Sequence, residues 1–110
     1  MDGYRIRTAD AATITIYVAG PMEEARRICA AFCLRGLCVS ITPTTYVYKM
    51  GAEEGVAVGL INYPRFPGPV EDLESVALEL ARVLIEGLHQ GSATVQGPAR
   101  AVFLDRRDVP

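Results

Sequence analysis

Ile14, Ile16 and Val18 alternate with Thr13, Thr15 and Tyr17 in a run rich in β-branched residues. That period of two predicts a strand over Thr13–Ala19 with one buried face. Gly20-Pro21 closes it. Proline suits a first helical turn, where its missing N–H costs nothing, and Glu23 and Glu24 oppose the positive end of the helix dipole. From there Met22, Ala25, Ile28, Cys29, Phe32 and Gly36 fall at helical spacing, with Arg26, Arg27 and Arg35 largely off the stripe. Gly36 is the expected stop.

Residues 37–64 read as a long β-hairpin, the centre of the chain. The first half is dense in Val, Ile, Thr and Tyr; the turn is expected at residues 50–55, where Gly51 and Gly55 flank Glu53-Glu54. Pro43 predicts a bulge or an edge position, and Gly59 a bulge or a close backbone approach. Three prolines within residues 64–69 forbid helix and central strand alike. A second helix follows, with Glu71, Asp72 and Glu74 in its first turns and a stripe of Leu73, Val76, Ala77, Leu80, Leu84 and Leu88. Gly91 is its expected end, with His89 in the last turn. Ser92–Gln96 and residues 101–104 read as one or two short strands split at Gly97-Pro98. Residues 1–12 are an edge strand through Tyr4 and Ile6 or a loose arm, and residues 105–110 a frayed tail.

The order β-α-β-β-α-β predicts a single α+β domain over residues 1–110, a ferredoxin-like sandwich of an antiparallel sheet with both helices on one face. The other face is left open, with Tyr17, Tyr46 and Tyr48 among its candidates. Exposed tyrosines there point to an oligomer or ligand interface; the plainer reading is scattered surface residues.

A net charge of −2 gives no electrostatic case for nucleic acid or anionic membrane. No apolar run approaches the roughly 20 residues of a membrane span, and the N-terminus lacks the apolar core of a secretory signal. Three cysteines without framework spacing point to a reduced, cytoplasmic protein.

The passages Gly36-Leu37-Cys38-Val39-Ser40-Ile41-Thr42-Pro43 and Tyr46-Val47-Tyr48-Lys49-Met50-Gly51-Ala52-Glu53-Glu54 resemble the CutA family, within the PII-like ferredoxin-fold proteins. The likeness covers about residues 25–62. It departs where those chains carry a tryptophan, a lysine-threonine pair (here Asn62-Tyr63) and a histidine-proline-tyrosine passage (here His89-Gln90-Gly91). The resemblance implies a homotrimer, divalent-metal tolerance, and small-anion or nucleotide binding between subunits.

Of the chemical candidates, Cys29 and Cys33 share a helix face, but small buried residues are the better reading than a soft-metal pair. Cys38 matches the family's cysteine and, with His89, is a candidate metal ligand; a helix-end histidine interacting with the dipole is the plainer role for His89. Glu53 and Glu54 are solvated turn residues, or an interface salt link or hard-metal contact. Gly20-Pro21 makes a poor anion site, since the proline removes a donor and Glu23 and Glu24 repel phosphate. Tyr63-Pro64-Arg65-Phe66-Pro67 is a stiff crossover or a pocket wall. The ligand or interface set is therefore Tyr46, Tyr48, Lys49, Glu53, Glu54, Tyr63 and Arg65. No serine or cysteine is tied to His89 by a recognisable motif. The expectation is a non-enzymatic homotrimer responsive to a small ligand or divalent metal. The alternative is a structural or interaction protein, phage-related in one version, with no small-molecule site.

Overall fold

The computed structural model describes residues 2–106. Along the chain run β1 (Thr13–Ala19), α1 (Met22–Phe32), a single 3-10 turn (Cys33–Arg35), β2 (Ser40–Tyr48), β3 (Gly51–Ile61), α2 (Val70–Gly87), β4 (Ser92–Gln96) and β5 (Ala101–Asp105). The strands form one sheet in the order β2-β3-β1-β4-β5, and every neighbouring pair is antiparallel. The first four strands and two helices are the expected ferredoxin-like arrangement. β5 is an addition on the β4 edge, reached by a tight loop that the Gly97 N–H closes onto the Arg100 carbonyl at 2.8 Å.

The alternation in β1 has the predicted cause. Ile14, Ile16 and Val18 meet Val56, Val58 and Leu60 of β3 and Ala93 and Val95 of β4 on one sheet face. Ala25, Cys29 and Phe32 of α1 and Ala77, Leu80, Ala81, Leu84 and Ile85 of α2 cover that face. Each large aliphatic side chain so removed from water contributes about 1.5–3 kcal/mol. The open face carries the other parity: Thr15 and Tyr17, Tyr46 and Tyr48, Glu53, Thr94 and Gln96, and Phe103.

Pro43 sits at a regular position of edge strand β2, with no bulge in the register. The Gly20 N–H donates to the Glu54 carbonyl and the Asn62 N–H to the Ala12 carbonyl, so the even residues of β3 direct their backbone groups toward β1. Val56, opposite Pro43, therefore bonds β1, and the proline nitrogen faces away from the ladder. Gly59 is likewise unbulged and leaves room for Ser40, whose Oγ would lie 2.6 Å from an added Cβ.

The hairpin turn is Lys49-Met50, with Tyr48 paired to Gly51, rather than residues 50–55. Met50 takes a left-handed φ of +75°, and Gly51 to Gly55 belong to β3. β1 pairs β3 only from Gly55 onward, so the distal hairpin projects beyond the rest of the sheet. The radius of gyration, 15.3 Å, exceeds the value of about 13 Å for a compact domain of this length.

α2 ends at Gly87, not Gly91. The Gln90 N–H reaches the Ile85 carbonyl at 2.8 Å and the His89 N–H the Glu86 carbonyl at 3.2 Å, a Schellman closure with His89 left-handed at φ +58°. No strand forms among the described residues before Thr13: that segment is an arm with Tyr4 and Ile6 exposed. Nor does the chain fray at residue 105. Asp105 ends β5, and Arg106 bonds the Gly91 carbonyl through its N–H and the Gln90 carbonyl through Nε. The expected frayed tail beyond that, residues 107–110, lies outside the described residues.

Candidate functional site

The open sheet face is not flat. Tyr46 of β2 and Glu53 of β3 are directly opposed, and both stand on that face. The Tyr46 ring leans diagonally across Gly55, and its hydroxyl donates to the Val56 carbonyl at 2.6 Å. Burial holds the Tyr46 phenol above its ordinary range; the Val18 backbone pulls it down, while Tyr17 and Glu53 push it further up. The phenol therefore stays protonated near neutral pH, beside a carboxylate and a second tyrosine. Tyr17, Tyr46, Glu53, Gln90, Ser92, Thr94 and Phe103 line a cleft of about 210 Å³ here. Two tyrosines and a phenylalanine supply aromatic faces, Glu53 a negative charge, and Gln90, Ser92 and Thr94 neutral hydrogen-bonding groups. An anionic side chain ringed by aromatic and hydroxyl groups suits a cationic ligand with a flat apolar part.

A second cavity, of about 150 Å³, opens at the other end of the hairpin, between Leu37, Cys38, Leu60, Phe66 and Leu73. The Cys38 thiol donates to the Tyr63 hydroxyl at 3.5 Å, and Tyr63 and Phe66 pack as a tilted ring pair 5.3 Å apart. The neighbouring Cys38 sulfur, more than burial, raises the Tyr63 phenol above its usual range. The lining is mostly apolar, with Cys38, Asn62, Tyr63 and Asp72 as its polar members.

The expected site residues are thus divided. Tyr46 and Glu53 meet in the cleft. Glu54 points to the opposite side, where its carboxylate accepts from Thr45 Oγ1 at 2.9 Å. Neither carboxylate is a turn residue, because the strand continues through both. Tyr48 and Lys49 sit at the exposed hairpin end. Tyr63 belongs to the second cavity with Cys38, and Arg65 is exposed on the proline loop. Cys38 lies at a cavity lined by Asp72, Leu73 and Val76 in the N-terminal part of α2, whereas His89 follows the C-terminal end of that helix, so the two are not brought together. Among the described residues no group of three or more His, Cys, Asp or Glu side chains gathers. Cys29 is core. Gln90, Ser92, Thr94 and Phe103 were missed as site residues, and Tyr17, expected on the open face, was left out of the ligand set. The alternation in β4 and β5 was the available signal, since it places Ser92, Thr94 and Phe103 on the face that Tyr17 shares.

No protein-family model matches the chain, and no curated protein matches it at a significant level. Solved structures do. A phage SAM lyase in complex with S-methyl-5'-thioadenosine matches with a TM-score of 0.69 at 12% identity, over 96% of this chain and 98% of the lyase. A phage SAM lyase in the apo state matches with a TM-score of 0.68 at 14% identity, over 90% and 92%. CutA from Synechococcus elongatus, complexed with Bis-Tris, matches with a TM-score of 0.53 at 23% identity, over 91% and 83%. At these identities the likeness is one of fold, and it bears out the CutA-like ferredoxin-fold resemblance. The expectation of a non-enzymatic protein does not stand. It rested on the lack of a recognisable catalytic motif and on likeness to CutA, and the same fold, matched at higher TM-score over nearly the whole chain, is that of a lyase. No helix among the described residues is long and apolar enough to cross a membrane.

Proposed function

We propose that this chain is a lyase acting on S-adenosylmethionine, with the open-face cleft as its binding site. The observation that carries the reading is the opposed Tyr46–Glu53 pair beside Tyr17, set in a cleft of about 210 Å³. S-adenosylmethionine carries a sulfonium cation between an adenosyl group and an aminobutyrate arm. Glu53 supplies the countercharge to the sulfonium, Tyr46 and Tyr17 supply electron-rich faces to a desolvated cation, and Phe103 offers a surface for the adenine ring. S-methyl-5'-thioadenosine is what leaves when the substrate's own carboxylate oxygen attacks Cγ of the aminobutyrate arm: the new C–O bond closes a five-membered lactone as the C–S bond breaks and the sulfur keeps the electron pair. A sulfonium sulfur leaves readily, so holding the substrate dry and oriented lowers the barrier without a protein nucleophile. The match in length and fold to a phage SAM lyase supports the reading.

The cleft is smaller than the roughly 300 Å³ at which enclosed small-molecule sites begin. Self-assembly, with a second copy covering the open face, completes it. The projecting hairpin supports this: Val47 is 79% and Met50 95% exposed at its end. A homotrimer is the assembly proposed.

Incubation with S-adenosylmethionine, followed by liquid chromatography and mass spectrometry, tests the function. S-methyl-5'-thioadenosine accumulates well above a protein-free control with the wild-type protein, and far more slowly with Glu53→Gln. A folded wild-type protein that releases no more than the protein-free control over a day would overturn the reading. Light scattering with native mass spectrometry tests the assembly, and a clean monomer at micromolar concentration would remove it.

A further inference from the structure

A Cβ added at Gly55 would lie 2.3 Å from Tyr46 Cε2 and 2.6 Å from the Val18 carbonyl oxygen. No side chain at position 55 is compatible with the Tyr46 ring where it lies. The ring needs that place to carry its hydroxyl across β3 to the Val56 carbonyl, 2.6 Å away. The Val56 carbonyl already faces the β1 ladder, so the tyrosine takes its second lone pair. The consequence is chemical. With its one proton committed to Val56 and one lone pair met by the Val18 backbone, the Tyr46 hydroxyl has only its remaining lone pair for the cleft, beside the acceptor-only carboxylate of Glu53. A tyrosine free to rotate would offer its proton to a neutral or anionic ligand as readily as its lone pairs to a cation.

We propose that Gly55 is a positioning residue: by letting the Tyr46 ring lie flat across β3 it fixes the hydroxyl as an acceptor beside Glu53, and so adds to the preference that the charge of Glu53 gives the cleft for a positively charged ligand over its neutral counterpart. This rests on the cleft being the ligand site but not on the C–S bond being broken there.

The test compares two probes of nearly equal shape by isothermal titration calorimetry. Sinefungin carries an amine at the sulfonium position and has no scissile C–S bond; S-adenosylhomocysteine is the neutral thioether. The wild-type protein binds sinefungin about tenfold more tightly, as a charge-assisted contact requires. Tyr46→Phe, which keeps the ring and loses the oxygen, lowers the ratio about threefold, and the remaining preference belongs to the charge of Glu53. Gly55→Ala does the same. In the Tyr46→Phe background Gly55→Ala changes the ratio no further, since the glycine acts through the hydroxyl. Should Gly55→Ala fail to fold, Tyr46→Phe still decides. An unchanged ratio in folded Tyr46→Phe, or a wild-type ratio near one, overturns the proposal. Cation preference without release of S-methyl-5'-thioadenosine from S-adenosylmethionine overturns the lyase reading and supports this one. Release with a ratio insensitive to Tyr46→Phe does the reverse. Binding of neither probe overturns this proposal.

Discussion

Leu88 rests on Gly20. An added Cβ at Gly20 would lie 3.1 Å from Cβ, Cδ1 and Cδ2 of Leu88, and Gly20 holds a φ of +133°. The contact joins the β1–α1 corner to the end of α2, and the Gly20 N–H is bonded to the Glu54 carbonyl at 3.0 Å. The backbone conformation disfavours any side chain, and an added Cβ would press tightly on Leu88. Gly20→Ala should destabilise the fold by about 2–3 kcal/mol, combining a disfavoured φ with overpacking. Urea unfolding monitored by circular dichroism reads this as a lower midpoint at unchanged slope. A loss under about 0.5 kcal/mol would show that the corner relaxes freely.

Two other positions hold a left-handed backbone without being glycine. His89 closes α2 at φ +58°, and Met50 ends the hairpin turn at φ +75°. Both are exposed, so glycine loses little packing while relieving a conformation that costs a side chain about 1 kcal/mol. Part of that gain is offset by the freer unfolded chain. His89→Gly and Met50→Gly should each stabilise by about 0.5 kcal/mol, read as a small rise in Tm.

The core was legible because its signal is local. The stripe Leu73, Val76, Ala77, Leu80, Leu84 and Leu88 and the alternation of Ile14, Ile16 and Val18 each state which face is buried. The turn was misplaced because glycines mark turns only statistically. Gly55 is there for the Tyr46 ring, and an added Cβ at Gly51 would lie 2.9 Å from the ring of Tyr48, so glycines mark ring positions on β3 as well as turns. The cleft was half legible. Tyr46 and Glu53 stood out by type, but their meeting depends on a register that a one-residue shift in the turn would reverse. Gln90, Ser92 and Phe103 join from strands and loops far along the chain, and no local pattern announces that.

Asn62 shows how one polar side chain fixes three segments. Its Nδ2 donates to the Asp10 carbonyl at 2.8 Å, its Oδ1 accepts from the Gly68 N–H at 3.0 Å, and its own N–H reaches the Ala12 carbonyl at 3.1 Å. Alanine keeps the last and removes the first two. Asn62→Ala should cost about 1–2 kcal/mol and accelerate hydrogen exchange at the Gly68 amide. Unchanged exchange there would show that the proline loop holds itself.

Cys29 couples stability to alkaline pH. Burial, and then the neighbouring Cys33, raise its thiol from 9.0 to about 11. The folded state thus holds the proton more tightly than the unfolded state. The resulting stability is fully present below pH 9 and is lost as pH rises through the folded value of about 11. A shift of this size corresponds to about 2–3 kcal/mol, at 2% exposure of the residue. Cys29→Ala starts less stable by about 1–2 kcal/mol for the smaller side chain, but its stability should fall less between those pH values. Parallel slopes for the two proteins would show that Cys29 does not titrate with unfolding.

Glu53 and Glu54 are neighbours in sequence with opposite surroundings, which makes them controls for each other. Glu53 faces Tyr46 in the cleft, and Glu54 accepts from Thr45 on the other side of the sheet. Both substitutions to glutamine remove one negative charge from the same hairpin and preserve shape, so any long-range electrostatic effect is shared. What differs is the charge next to a bound sulfonium. Glu53→Gln should lower the rate of S-methyl-5'-thioadenosine release by about a hundredfold or more, on the scale of removing an aligned charge from a partly dry site. Glu54→Gln should stay within about twofold of wild type and lose at most about 0.5 kcal/mol of stability, as for an exposed hydrogen bond that the amide can replace. Equal losses of rate in the two variants would mean that the charge of the hairpin matters and its position in the cleft does not.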